Sequence, residues 1–194
     1  MASILNIKDL STAYFVGSSK EKIIHRNISA EVSEGNMICI LGLNGTGKST
    51  LIRTLLGLQK KGNGELVYMD KPFKDISIKD MSKLVSVVLT DKIDDSFLKV
   101  FDLVASGRYP YGNMSGKLSD KDISIIKDSL ITMKASHLID RVFTQLSDGE
   151  KQRVLIARAI SQDTPLIMLD EPAAFIDSPG KIGIMELLKK ISFE

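Results

Sequence analysis

The stretch that most restricts how this chain can fold is GLNGTGKS, Gly42–Ser49, because of what stands on each side of it. The apolar run MICIL leads into it, and STLIRTLLGL leaves it with helical spacing. The run from Met37 reads as a strand buried on both faces, with Cys39 as a small core residue, and Gly57 is a plausible helix stop. Glycines let the backbone curl until successive N–H groups line one concavity, and a helix opening there adds its positive end. The loop matches G-x-x-x-x-G-K-[ST] at every fixed position, in the order strand, loop, helix that a nucleotide phosphate site requires. Its candidate contacts are Gly42, Leu43, Asn44, Gly45, Thr46, Gly47, Lys48, Ser49 and Thr50. Lys48 would neutralise the β and γ phosphates, and the Ser49 hydroxyl would ligate Mg2+.

A second element complements the first. LIMLDE, Leu166–Glu171, reads as a buried parallel strand ending in two acids. Asp170 can hold Mg2+ through water, and Glu171 lies where a general base would polarise an attacking water. Alone, an apolar strand ending in Asp-Glu is a common pattern; beside the phosphate loop it predicts ATP and Mg2+ chemistry.

Composition narrows the class. At 194 residues the chain can bury a sizeable core, and a net charge of +2 gives no global basic field for nucleic acid. One cysteine excludes an intrachain disulfide framework. No apolar run approaches the roughly 18 residues needed to span a bilayer, and Lys8 and Asp9 arrive too early for a secretory leader. The expectation is a cytosolic protein whose link to a membrane runs through a partner.

The first third reads as β. SILNIKDLSTAY and KIIHRNISAEV alternate apolar and polar residues, KKGNG is a turn signal, and ELVYM is a short strand. From about Asp94 to Arg141 the pattern turns helical. FDLVASGR is a short helix candidate, and SDKDISIIKDSLITM opens with a capping box, Ser119 with Asp122. LSDGEKQ, Leu146–Gln152, then starts another amphipathic helix with a second capping box, Ser147 with Glu150. That helix start looks like a second phosphate-binding end, its Ser147 hydroxyl and Gly149 N–H available to a γ-phosphate, yet Asp148 stands where phosphate would approach.

GLNGTGKST, LSDGEKQRVLIARAI, LIMLDEP and AAFID stand in that order along essentially the whole chain. Together they resemble the ATP-binding subunit of an ABC transporter, and LSDGEKQ resembles the signature of that family, usually LSGGQ. FDLVASGRYPY, LSDKD and QLSDGEKQRVLIARAISQDTPLIMLDEP are similar to importers of iron–siderophore, haem and cobalamin chelates, the narrower match resting on Gly107, Arg108, Tyr109 and Pro110. The resemblance implies an α/β P-loop NTPase core, a mixed or parallel sheet flanked by helices. An N-terminal antiparallel β-subdomain and a helical insertion over about 94–160, signature helix included, would belong to one domain spanning 1–194, with the C-terminal part of its core missing. It implies that Tyr14 stacks on adenine and that Asp177 communicates across a dimer. Ser147, Asp148, Gly149 and Glu150 would meet the ATP held by the other subunit. The implied partners are a second copy, a polytopic membrane permease and, indirectly, an external substrate-binding protein. The implied location is peripheral, on the cytoplasmic face of the inner or plasma membrane.

Two departures stand out. Where the family has a glutamine at the end of the strand entering the insertion, this chain has Thr90 in LVSVVLTDK. A threonine hydroxyl is shorter but can hold a metal-bound water, so slower hydrolysis or weaker coupling is expected. The family's histidine beyond the acidic strand has no counterpart, since His25 and His137 both precede Asp170. Either the chain is C-terminally truncated or the switch histidine is lost, and ATP binding is expected to be more secure than hydrolysis. Tyr109–Met114 is a candidate permease-facing segment or a plain loop. Besides the importer ATPase, two other readings stay open: a soluble ABC ATPase acting on nucleic acid or the ribosome, and a nucleotide-binding fragment without turnover.

Overall fold

The alternating residues at the start of the chain form, in the computed structural model, strand β1 (Ser3–Tyr14). β2 (Lys22–Ser33) returns antiparallel beside it, pairing Tyr14 with Lys22 and Ser3 with Ser33. Helix α1 (Lys48–Leu55) follows, then β3 (Lys61–Tyr68) on the other edge of β1 and the short β4 (Lys71–Pro72). The sheet order is β2-β1-β3-β4, with β3 antiparallel to both neighbours. The structure describes residues 2–90, 93, 95–112, 117–174 and 176–192.

KKGNG does not turn: Lys61–Gly64 form the first half of β3. Gly64 sits at φ +92°, and a Cβ there would come within 2.5 Å of the Asp9 carbonyl oxygen. The β1–β3 register breaks opposite it, between Lys8 and Ser11, where Asp9 itself has φ +49°. Glycines that read as a turn therefore make a bulge inside a strand pair.

α1 buries Leu51, Ile52 and Leu55, while β1 and β3 bury Leu5, Leu10, Leu66 and Tyr68. Each such aliphatic stabilises the unit by about 1.5–3 kcal/mol. Tyr68 also donates its hydroxyl to the Leu55 carbonyl at 2.8 Å, tying down the last turn of α1. Burial pushes the Tyr68 phenol well above its ordinary pKa, so it acts as a neutral donor.

The expected strand from Met37 to Leu41 is absent, and its side chains are exposed, Ile38 by 54% and Leu41 by 91%. Cys39 is exposed too, against the expectation of a core residue. A strand apolar on both faces forms only between paired neighbours that cover it, and no described strand pairs with this one.

α2 (Ile78–Leu84) ends this first compact unit, which runs to Val85 with a return at Ser192. The second unit is Ser86–Ile191. β5 (Val85–Val88) enters it, followed by α3 (Val100–Ala105), α4 (Asp120–Thr132), α5 (Asp148–Ser161), β6 (Leu166–Leu169) and α6 (Ser178–Ile191). β5 and β6 form a two-stranded sheet. Val100, Val104, Ile126, Leu130, Met133, Val154 and Ile156 are the centre of its core.

The predicted helix FDLVASGR is shorter than its sequence. α3 stops at Ala105 and gives way to a 3-10 turn over Ser106–Tyr111, which contains Pro110. The turn carries a buried cation. Arg108 donates Nε to Asp122 at 2.9 Å and Nη1 to the Ser161 carbonyl at 2.8 Å, with its guanidinium 4.2 Å from the Tyr111 ring centroid. One residue thus ties α3, α4 and α5 together. Asp122 is also the acid of the capping box. The Ser119 hydroxyl, the Ser119 N–H and then Arg108 hold its pKa down to about 2.

Candidate nucleotide-binding site

The phosphate loop runs straight into α1. Gly47 is the N-cap, at φ 96° and ψ 15°, and no side chain caps the first turn. No acid lies in that turn, so its N–H groups present an uncompensated positive end, the arrangement that favours an anion. Lys48 donates its ammonium to the carbonyl oxygens of Gly42 at 2.9 Å and Leu43 at 3.0 Å. Thr46 bonds the same Leu43 carbonyl through its hydroxyl at 2.9 Å, so the loop closes on itself.

Gly47 has a second reason to be glycine. A Cβ there would lie 2.4 Å from Ile24 Cγ2 and 2.7 Å from His25 Cε1. His25 itself is hydrogen-bonded through Nδ1 to the Thr12 hydroxyl at 2.8 Å. Tyr14 is the other contact from the sheet, sharing a 2.7 Å hydrogen bond with the buried Thr50 hydroxyl. Tyr14 is 42% exposed.

In the second unit, β6 ends at the two acids. Asp170 donates its N–H to the Val88 carbonyl at 2.9 Å, which sets the end of β6 beside the end of β5 and therefore near Thr90. Asp170 is 3% exposed, and its Oδ2 is buried with no hydrogen-bond partner. A buried, unpartnered carboxylate oxygen needs a cation or water, and a hard oxygen donor suits Mg2+. Glu171 is exposed and holds a left-handed backbone, φ 50°, the kind of strain that gathers at functional positions.

The capping box at Ser147 is present, with one change from the expectation. The Ser147 hydroxyl donates to Glu150 at 2.7 Å and the Ser147 N–H to the same carboxylate at 2.8 Å. The hydroxyl is thus occupied rather than open to a ligand. These bonds, the hydroxyl's first, lower the Glu150 pKa. Asp148 points outward, its side chain 67% exposed and 3.8 Å from the Lys151 ammonium. Asp177 accepts from the Gly180 N–H at 3.2 Å, bonding into the first turn of α6. Tyr14 and the phosphate loop are thus brought together in the first unit, and in the second Asp170 is tied to Val88, two residues before Thr90.

Residues 25–174 match the ABC transporter family. The chain belongs to the ABC transporter family. An ABC transporter ATP-binding protein of Methanocaldococcus jannaschii, uncharacterized, is 36% identical over 191 residues, which is 98% of this chain and 64% of that protein. The iron(3+)-hydroxamate import ATP-binding protein FhuC of Bacillus subtilis is 30% identical over 97% of this chain and 70% of its own length. Among solved structures, cbiO1 of Clostridium perfringens, part of the ABC transporter complex cbiONQ, superposes with a TM-score of 0.82 at 29% identity, covering 99% of this chain and 74% of that one. The chain therefore spans less than two thirds of the length of the first of these relatives.

Three contacts of this ABC chain were not legible beforehand. Nothing in KIIHRN marks His25 as lying against Gly47, because that depends on how β2 packs on the loop. Tyr68 stands in the predicted strand ELVYM, and nothing in that string marks its hydroxyl as a donor to α1. Arg108 stood in a recognised string, but burial of its guanidinium follows only from the packing of α3, α4 and α5.

Proposed function

We propose that this chain is the ATP-binding and hydrolysing subunit that powers an ABC importer, its cargo a chelate of the iron–siderophore, haem or cobalamin type. The observation that carries the reading is the uncapped, acid-free N-terminus of α1, opening from the glycine loop with Lys48 at its first position. Lys48 now bonds two loop carbonyls and would exchange them for β and γ phosphate oxygens. The relative from Bacillus subtilis, named for iron(3+)-hydroxamate import, supports the choice of cargo class.

Hydrolysis forms a bond from water oxygen to the γ-phosphorus and breaks the bond from that phosphorus to the β–γ bridging oxygen. Glu171 would orient the water and take its proton. Asp170 and Ser49 would hold Mg2+, with Thr90 steadying a bound water. When bound, the ion would neutralise charge building on the transferred group. The second copy would close the γ-phosphate side with the backbone N–H groups of Asp148 and Gly149, which the Ser147–Glu150 capping box holds in place, and Asp177 would relay between copies. The exposed Tyr109 and Phe97, at 76% and 89%, would meet the permease.

Co-expression with a candidate permease and purification in detergent tests this. A stable complex whose ATPase rate rises with substrate-loaded binding protein supports the importer; co-purified RNA and no permease would refute it.

A further inference from the structure

Two contacts run from β1 to the start of α1, where the phosphate loop ends. Thr12 reaches Gly47 through His25, and Tyr14 reaches Thr50 directly. The second has a counterpart at the far end of the helix. Tyr14 bonds a hydroxyl in the first turn of α1, and Tyr68 bonds the Leu55 carbonyl in the last. α1 is only eight residues long and has no side-chain cap of its own. A helix that short gains little orientation from its own ends. Thr50 is 4% exposed, so its hydroxyl needs a partner, and Tyr14 supplies it.

Thr50 directly follows Lys48 and Ser49. A rotation of the first turn would carry both away from phosphate, and small misplacements of such groups are expensive in binding and rate. We propose that Tyr14 is a positioning residue for the phosphate loop, its hydroxyl acting through Thr50 to hold the first turn of α1. The proposal rests on the nucleotide reading of that loop. It assigns the hydroxyl a task separate from any contact of the ring with a base.

The test compares two ligands on the 194-residue chain by calorimetry: ATP with Mg2+, and inorganic tripolyphosphate with Mg2+, which has no base. Tyr14→Phe keeps the ring and removes the hydroxyl. It is expected to weaken both ligands by the same factor, about three- to tenfold, the worth of one hydrogen bond. Thr50→Ser, which keeps a hydroxyl for Tyr14, is expected to weaken both ligands less than Tyr14→Phe does. Thr50→Val should add nothing further in the Tyr14→Phe background; if it fails to fold by circular dichroism, Tyr14→Phe and Thr50→Ser decide alone. Tripolyphosphate affinity unchanged in Tyr14→Phe overturns the proposal, whatever ATP does. Lys48→Ala separates the two ideas: if the wild type binds neither ligand better than Lys48→Ala, the nucleotide reading itself falls.

Discussion

Gly47→Ala adds one methyl group at the centre of the phosphate loop, and the contacts around it set the expected damage. Gly47 has φ +96°, where an L side chain costs about 1–2 kcal/mol. The new Cβ would also stand 2.4 Å from Ile24 Cγ2 and 2.7 Å from His25 Cε1. Overpacking of that kind costs typically 1–3 kcal/mol. Together these give about 2–5 kcal/mol against the native loop, so phosphate affinity should fall about thirtyfold or more. Titration with tripolyphosphate reads it. Gly45→Ala is the comparison, because Gly45 also has positive φ, +82°, yet a Cβ there meets nothing within 4 Å. It should lose only the conformational part, a smaller drop. Pairing Ile24→Ala with Gly47→Ala should restore part of the loss. A Gly47→Ala protein that binds within about threefold of wild type, or a pair no better than the single variant, would refute the reasoning.

Other perturbations test other parts of the account. Arg108→Ala removes a buried guanidinium that bonds Asp122 and the Ser161 carbonyl; it should destabilise the second unit by about 3–5 kcal/mol in urea unfolding, and a loss under about 1 kcal/mol would show the staple is dispensable. Asp122 has a folded pKa of about 2, below the unfolded value near 3.9, so its contribution is full above about pH 4 and disappears as pH falls toward 2. After solvent screening that amounts to about 1–2 kcal/mol, and Asp122→Asn should flatten stability over that acidic window. Asp148→Gly removes an exposed acid whose pairing with Lys151 at 3.8 Å contributes little, so ATP-dependent dimerisation should tighten in light scattering; weaker dimerisation would mean Asp148 makes a favourable contact.

Much of the architecture was legible because its signals are local. β1 starts and ends where the alternation does, and both capping boxes form as read, since each depends on residues three apart. The opening of α1 at Lys48 was legible for the same reason: glycines, lysine and helical spacing are contiguous. What failed depends on neighbours distant in sequence. MICIL was read as a buried strand, but a strand needs partners, and hydrophobicity alone does not supply them. KKGNG was read as a turn because the bulge it forms is defined by Asp9 and Leu10 across the sheet. Ser147 was read as open to a ligand although its own capping partner takes its hydroxyl proton. In each case the residue type was right and the competitor for its bonding was missed.

The central claim is that the loop from Gly42 to Ser49 holds the phosphates of ATP. Calorimetric titration of ATP and Mg2+ into the wild-type chain and into Lys48→Ala tests it most directly. The account predicts one ATP per wild-type chain and at least a tenfold weaker Kd for Lys48→Ala, the value of about 1.4 kcal/mol for one charged phosphate contact. Equal affinity in the two proteins would contradict it.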